Sequence, residues 1–149
     1  MKVVLDTNVL LKSLPKTSPY RPIFDAIRHG KVELLLSTDI LLEYTEILEQ
    51  RTTASVSNNV ANLLVKLPSS VQVEVYIRWN LIQADLDDNK FTDCAVAGNA
   101  TFLVTDDKHF NVLSGIAFPP IEVCSSDELL TRLKNRISPT TPTPPPPAE

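Results

Sequence analysis

The chain has 149 residues, 43% of them apolar, which suits one domain with a single hydrophobic core. Fourteen basic against 18 acidic residues give a formal charge of −4, which excludes a broad basic surface that holds nucleic acid by counterion release alone, though not a nucleic-acid substrate reached through bound cations. No apolar run approaches the roughly 18 residues of a membrane span, no signal-peptide pattern opens the chain, and Cys94 and Cys124 sit in apolar segments without ligand spacing; a cytoplasmic protein with buried free thiols is expected.

Lys2 to Leu5 is a non-alternating apolar run, the pattern of a strand buried on both faces, and it stops at Asp6-Thr7-Asn8. These three residues suit the cap of a short helix, Val9 to Leu14, ended by Pro15; on that reading alone Asp6 is an N-cap. Pro22 fits the first turn of a helix through Arg28, with Gly30 as its stop. Arg21, Arg28, His29 and Lys31 suit a solvated face, and Arg21 and Arg28 are also candidates for phosphate-backbone contacts, as is Lys108 further on.

Val32 to Leu36 predicts a second buried strand, and Ser37 or Thr38 caps a helix from Asp39 to Gln50 with Ile40, Leu41, Tyr44, Ile47 and Leu48 facing the core. Glu43 falls at the edge of that stripe, where either solvent or the carboxyl edge of the sheet would receive it. Val56 to Leu67 predicts another amphipathic helix, closed by Pro68; Val71 to Tyr76 alternates like an edge strand, and Trp79 to Ile82 suits a short strand or turn.

The stretch from Leu86 to Phe110 concentrates the polar chemistry. A loop carries Asp87, Asp88 and Asn89, a helix of small residues follows from Lys90 to Asn99, and the strand Thr101 to Val104 halts at Thr105-Asp106-Asp107. Ala95, Ala97, Gly98 and Ala100 let the helix lie close to a sheet, and Asn89 and Asp93, four apart, share one helix face. Aspartate is a poor residue for a helix interior, so Asp93 has a reason to be there. His109 is either a group acting on a leaving oxygen or an exposed bystander. Ile121 to Cys124 predicts a last strand, and Ser125-x-x-Glu128 a capping box for a helix to Ile137. The stretch 138–149, SPTTPTPPPPAE, reads as a disordered, polyproline-II-like tail after one domain over 1–137.

Strands and helices alternate, which argues an α/β fold with a parallel or mostly parallel sheet between helices. In such sheets ligands bind beyond the carboxyl ends of strands, where two strands deliver Asp6 and Asp107. Asp6, Glu43, Asp93 and Asp107 would converge there as mutually repelling carboxylates, an arrangement sensible mainly around Mg²⁺ or Mn²⁺. Two such ions about 4 Å apart activate water for in-line attack on a phosphodiester without a nucleophilic side chain.

The ordered set VVLDTNVLL, LLEYTEIL, DDNKFTDCAVAGNATFLVTDD and PPIEVCSSDELL resembles the PIN-domain family of metal-dependent ribonucleases, and within it the VapC-like toxins of toxin–antitoxin pairs; the likeness runs from Met1 to about Leu133. It implies a three-layer α/β/α sandwich with a central, mostly parallel sheet, Mg²⁺ or Mn²⁺ in an acidic pocket, cleavage of single-stranded or structured RNA, frequent homodimers and a cognate antitoxin. By position Asp6, Glu43, Asp93 and Asp107 look like the four acids, with Asp88 as an accessory ligand and Asn8, Thr105 and Asn89 as supporting polar residues. The competing expectations are a catalytically silent PIN-like module that binds RNA or protein, and an aspartyl-phosphate phosphotransfer domain, against which Asp6-Thr7-Asn8 lacks a second Asp two residues on.

Overall fold

A computed structural model describes residues 1–137; the expected proline-rich tail lies outside the described residues. The described chain runs β1 (Lys2–Leu5), α1 (Thr7–Ser13), α2 (Arg21–Arg28), β2 (Glu33–Leu36), α3 (Thr38–Arg51), α4 (Ala54–Lys66), β3 (Ser70–Gln72), α5 (Asn89–Ala97), β4 (Phe102–Val104), β5 (Val123–Cys124) and α6 (Ser126–Ile137), with 3₁₀ turns at Leu86–Asp88 and Lys108–Gly115. The five strands form one sheet in the order β3-β2-β1-β4-β5. Every pairing in it is parallel.

The apolar runs explain the centre of the sheet. Val3, Val4 and Leu5 of β1 and Leu34, Leu35 and Leu36 of β2 are almost wholly buried, as strands covered by helices on both faces must be. Parallel crossovers are right-handed, so the connections from β1 to β2 and from β2 to β3 lay α1 to α4 on one face, and the return from β3 to β4 lays α5 on the other. The α6 helix packs beside α2. Strand order therefore reverses between β1 and β4, and the carboxyl ends of those two strands are the crevice where doubly wound sheets bind ligands.

Several expected boundaries move. The alternating run Val71 to Tyr76 contributes only Ser70–Gln72 to the sheet. After the bond from Val73 N–H to Leu36 O, 2.7 Å, the chain leaves the ladder. Trp79 to Ile82 forms no strand. Gly30, at φ +74°, ends α2 as expected. At the end of α5 the left-handed position belongs to Asn99, φ 51°, and not to Gly98. Gly98 is there for space: a Cβ on it would stand 2.7 Å from Leu35 Cδ1 and 3.0 Å from Val73 Cγ2.

Gly98→Ala is therefore expected to destabilise the protein by about 1–3 kcal/mol through overpacking of α5 against the sheet, read as a lower urea midpoint. An unchanged midpoint would show that α5 is free to lift away.

Candidate active site

Asp6 is the first residue past β1. Its N–H donates to Val104 O at 3.0 Å, which carries the β1–β4 pairing one residue beyond the strands. Asp6 stands at the N-cap position of α1, yet its side chain caps nothing. Its Oδ2 instead accepts from Thr105 Oγ1 at 2.8 Å. The capping account of this residue thus fails: the carboxylate, 7% exposed, is turned to the end of β4. Burial pushes its pKa up, Thr105 and the Thr7 N–H oppose that, and the carboxylates of Asp107 and Glu43 add to it.

Glu43 is held from two sides: Thr7 Oγ1 donates to one carboxylate oxygen, and Lys90 Nζ lies 3.0 Å from the other. The neighbouring Tyr44 fixes the height of α3, because its buried hydroxyl donates to Leu5 O at 2.5 Å, at the end of β1.

Asp88 ends the 3₁₀ turn before α5. Its Oδ2 is shielded from solvent and makes no hydrogen bond. His109 Nδ1 lies 3.4 Å away and 3.6 Å from Asp107 Oδ1. Burial, then the carboxylates of Asp85, Asp107 and Asp6, push the Asp88 pKa up to about 6, against the imidazole. Asp107 is oriented by its own turn: its N–H donates to Thr105 Oγ1 at 3.0 Å and its Oδ1 accepts from His109 N–H at 2.9 Å. Asp85, Asp88 and His109 each bring a ligand atom within 4.8 Å of the other two. A cleft of about 560 Å³ opens along Thr105, Asp107 and Lys108, and a second, of about 520 Å³, along Glu43, Lys90 and Asp93.

The sequence pattern of the PIN domain matches residues 2–109. The chain belongs to the PIN domain family. Among solved structures it is similar to VapBC2 from Rickettsia felis bound to a promoter DNA fragment (TM-score 0.58, 14% identity, 84% of this chain and 98% of that one). DNA-bound VapBC from Salmonella typhimurium is similar at a TM-score of 0.58 and 16% identity, over 85% of this chain and 98% of that one. PAE2754 from Pyrobaculum aerophilum follows with 0.57 and 16%, over 91% and 90%. At these identities the likeness is one of fold. A comparison with curated proteins finds no match.

In this PIN domain the expected site residues part company. Asp6, Asp107 and Asp88 gather, with Glu43 near enough for its charge to act on Asp6. Asp93, expected as the third acid ahead of Asp88, lines the second cleft with Glu43 and Lys90: its Oδ1 accepts from Trp79 N–H at 3.0 Å, and no charge of the other three acids weighs on it. Burial raises its pKa, and the Trp79 N–H and Arg78 lower it. Asn89 is likewise a clamp, buried, with Oδ1 accepting from Ile82 N–H and Nδ2 donating to Ile82 O, each at 2.9 Å. Both side chains satisfy the backbone of the irregular stretch 74–85, which has no strand partner to do so. That is the reason for an aspartate in a helix interior.

Thr105 donates its hydroxyl to Asp6, but Asn8 is exposed and makes no side-chain hydrogen bond among the described residues. Arg21 is spent on structure: it donates to Leu14 O, pairs with Asp25 at 3.0 Å and lies over the Phe24 ring. Arg28 sits where α2 leads into β2, whose Glu33 is in register with Lys2, so it is at the amino end of the sheet, opposite the acids. Lys108 alone of the three borders the site. Asp106 is structural, joined to Lys12 at 2.5 Å and to Ser126 N–H at 2.9 Å; burial alone would raise its pKa, but Lys12 and Ser126 together hold it below the ordinary value. Sequence reasoning missed Thr7, Lys90 and Asp85. For Asp85 a signal existed, an acid three residues before Asp88; for a buried threonine hydroxyl there was none.

Because the Asp88 pKa is raised, its protonated form is the one folding favours: the stability it lends is full below pH 3.8 and is lost as pH climbs through about 6. Asp88→Asn should therefore be more stable than the parent by about 1–3 kcal/mol at pH 8 in EDTA, with the gap closing towards pH 4, as measured by urea unfolding. A variant less stable than the parent at pH 8 would contradict the assigned environment.

Proposed function

We propose that this PIN domain is a divalent-metal-dependent endoribonuclease and the toxin of a toxin–antitoxin pair. The observation that carries the reading is the gathering of Asp6, Asp88 and Asp107 at the carboxyl ends of β1 and β4, with Glu43 beside them. Like charges that raise the pKa of Asp6 and of Asp88, and a shielded Asp88 oxygen with no hydrogen-bond partner, suit a donor set for a hard divalent cation. Asp6, Asp88 and Asp107 would hold Mg²⁺ or Mn²⁺, with Glu43 adjacent. The chemistry such an ion supplies when bound is a water made nucleophilic near neutral pH and charge for the leaving oxygen of a phosphodiester.

The chain's own contribution is positioning. Thr105 holds the Asp6 carboxylate and, through the Asp107 N–H, ties both acids to one turn. Thr7 and Lys90 fix Glu43 at the edge of the second cleft. Lys108, exposed beside Asp107, is placed to meet a backbone phosphate of RNA. Asp6 is the group whose ionisation the site must secure, since burial and two neighbouring carboxylates favour its neutral form.

The antitoxin reading rests on kinship of fold with the two VapBC structures, and the homodimer reading on the family resemblance alone. An apolar groove of about 540 Å³ between α1–α2 and α3–α4, with Leu11, Leu14, Phe24, Val56 and Val60 in its lining, offers an antitoxin helix a surface. Among the described residues no helix is long and apolar enough to cross a membrane.

Purified protein should cut a pool of structured and single-stranded RNA with Mg²⁺ or Mn²⁺ and not with EDTA. Asp6→Asn and Asp88→Asn should lose on the order of 100-fold or more of the rate, as expected when a ligand of the ion is removed. Asp93→Asn, whose amide oxygen still accepts from Trp79 N–H, should keep most of it. Cutting that survives EDTA, or that survives Asp6→Asn, would overturn the proposal.

A further inference from the structure

The acids are not the whole donor set, because one nitrogen faces them. His109 Nδ1 lies 3.4 Å from Asp88 Oδ2 and 3.6 Å from Asp107 Oδ1, and the ligand atoms of Asp85, Asp88 and His109 fall within 4.8 Å of one another. Two donors each about 2.1 Å from one ion stand roughly 3 to 3.5 Å apart at octahedral to tetrahedral angles, so the imidazole nitrogen and Asp88 Oδ2 are spaced as ligands sharing an ion, with Asp107 Oδ1 just beyond that range. The Asp88 oxygen aimed at this nitrogen is the one buried without a hydrogen-bond partner. The other end of the site differs: Glu43 already has Thr7 on one oxygen and the Lys90 ammonium on the other, so its charge is answered from within the chain.

From this arrangement we infer that His109 is a nitrogen ligand of the divalent ion, bound with Asp88 and Asp107, and that it makes the site select Mn²⁺ over Mg²⁺. The inference rests on the metal-site reading above and adds a donor and a selectivity to it. Mg²⁺ takes oxygen donors and keeps its waters, whereas a first-row transition ion accepts imidazole alongside carboxylate. Coordination needs the neutral ring with Nδ1 unprotonated, and that is the atom turned toward the two acids. Asp107, two residues earlier, sets the ring's place in the chain, since its carboxylate accepts the His109 backbone N–H at 2.9 Å. That bond survives truncation of the ring. The side chain is 47% exposed, so His109→Ala leaves the core untouched.

The test is Mn²⁺ titrated into purified full-length protein and followed by electron paramagnetic resonance, with Mg²⁺ as competitor and pulsed measurements for nitrogen coupling. The parent should bind Mn²⁺ with imidazole nitrogen modulation and prefer it to Mg²⁺. In His109→Ala the modulation should vanish and Mn²⁺ affinity fall about tenfold or more, while Mg²⁺ affinity changes little. Mn²⁺ bound with no nitrogen modulation in the parent, and lost in Asp88→Asn, would overturn the inference and leave the acidic site standing. Absence of any Mn²⁺ binding by the parent would overturn both.

Discussion

The site depends on one backbone hydrogen bond, from Asp6 N–H to Val104 O at 3.0 Å. Parallel strands β1 and β4 are neighbours although nearly a hundred residues separate them, and this bond extends their ladder past the last apolar residue of each. The first polar residue after each strand is thereby set beside the other, so that Thr105 Oγ1 reaches Asp6 Oδ2. The topology supplies the opening, because the strand order reverses at this pair and helices diverge to opposite faces.

Such a site is held against its own electrostatics. Asp6, buried, and Asp88, half-buried, lie beside like charges, and each is driven toward its neutral form. The rest of the molecule supplies the rigidity that tolerates this. The hydroxyl of Tyr44 pins α3 to the end of β1, the close seat of Gly98 presses α5 onto the sheet, and Lys12 with Ser126 anchors Asp106, the residue between Thr105 and Asp107. A turn of three consecutive polar residues thus has its first and third members at the site and its second in the scaffold.

Much of this was legible in the sequence, for identifiable reasons. Unbroken apolar runs ending in polar residues marked β1, β2 and β4, and with them Asp6 and Asp107. The spacing of α3 brought Glu43 to the boundary of its apolar stripe, and the Thr7 and Lys90 contacts place it on the site side of that boundary. The choice between Asp88 and Asp93 was not legible, because both lie in the same short stretch and each has a sound position relative to a helix. It turns on the irregular segment 74–85, whose backbone Asp93 and Asn89 satisfy with their side chains. No periodicity reveals which helix face a segment without regular structure will cover. Arg21 was opaque for a related reason: its partners Leu14 and Asp25 meet it only once α1 and α2 are packed.

The most direct test of the account is a crystal grown with Mn²⁺ and measured for anomalous scattering. The account predicts a peak about 2.2 Å from carboxylate oxygens of Asp88 and of Asp6 or Asp107, at the carboxyl ends of β1 and β4. A peak coordinated by Asp93, with Asp88 unengaged, would contradict it.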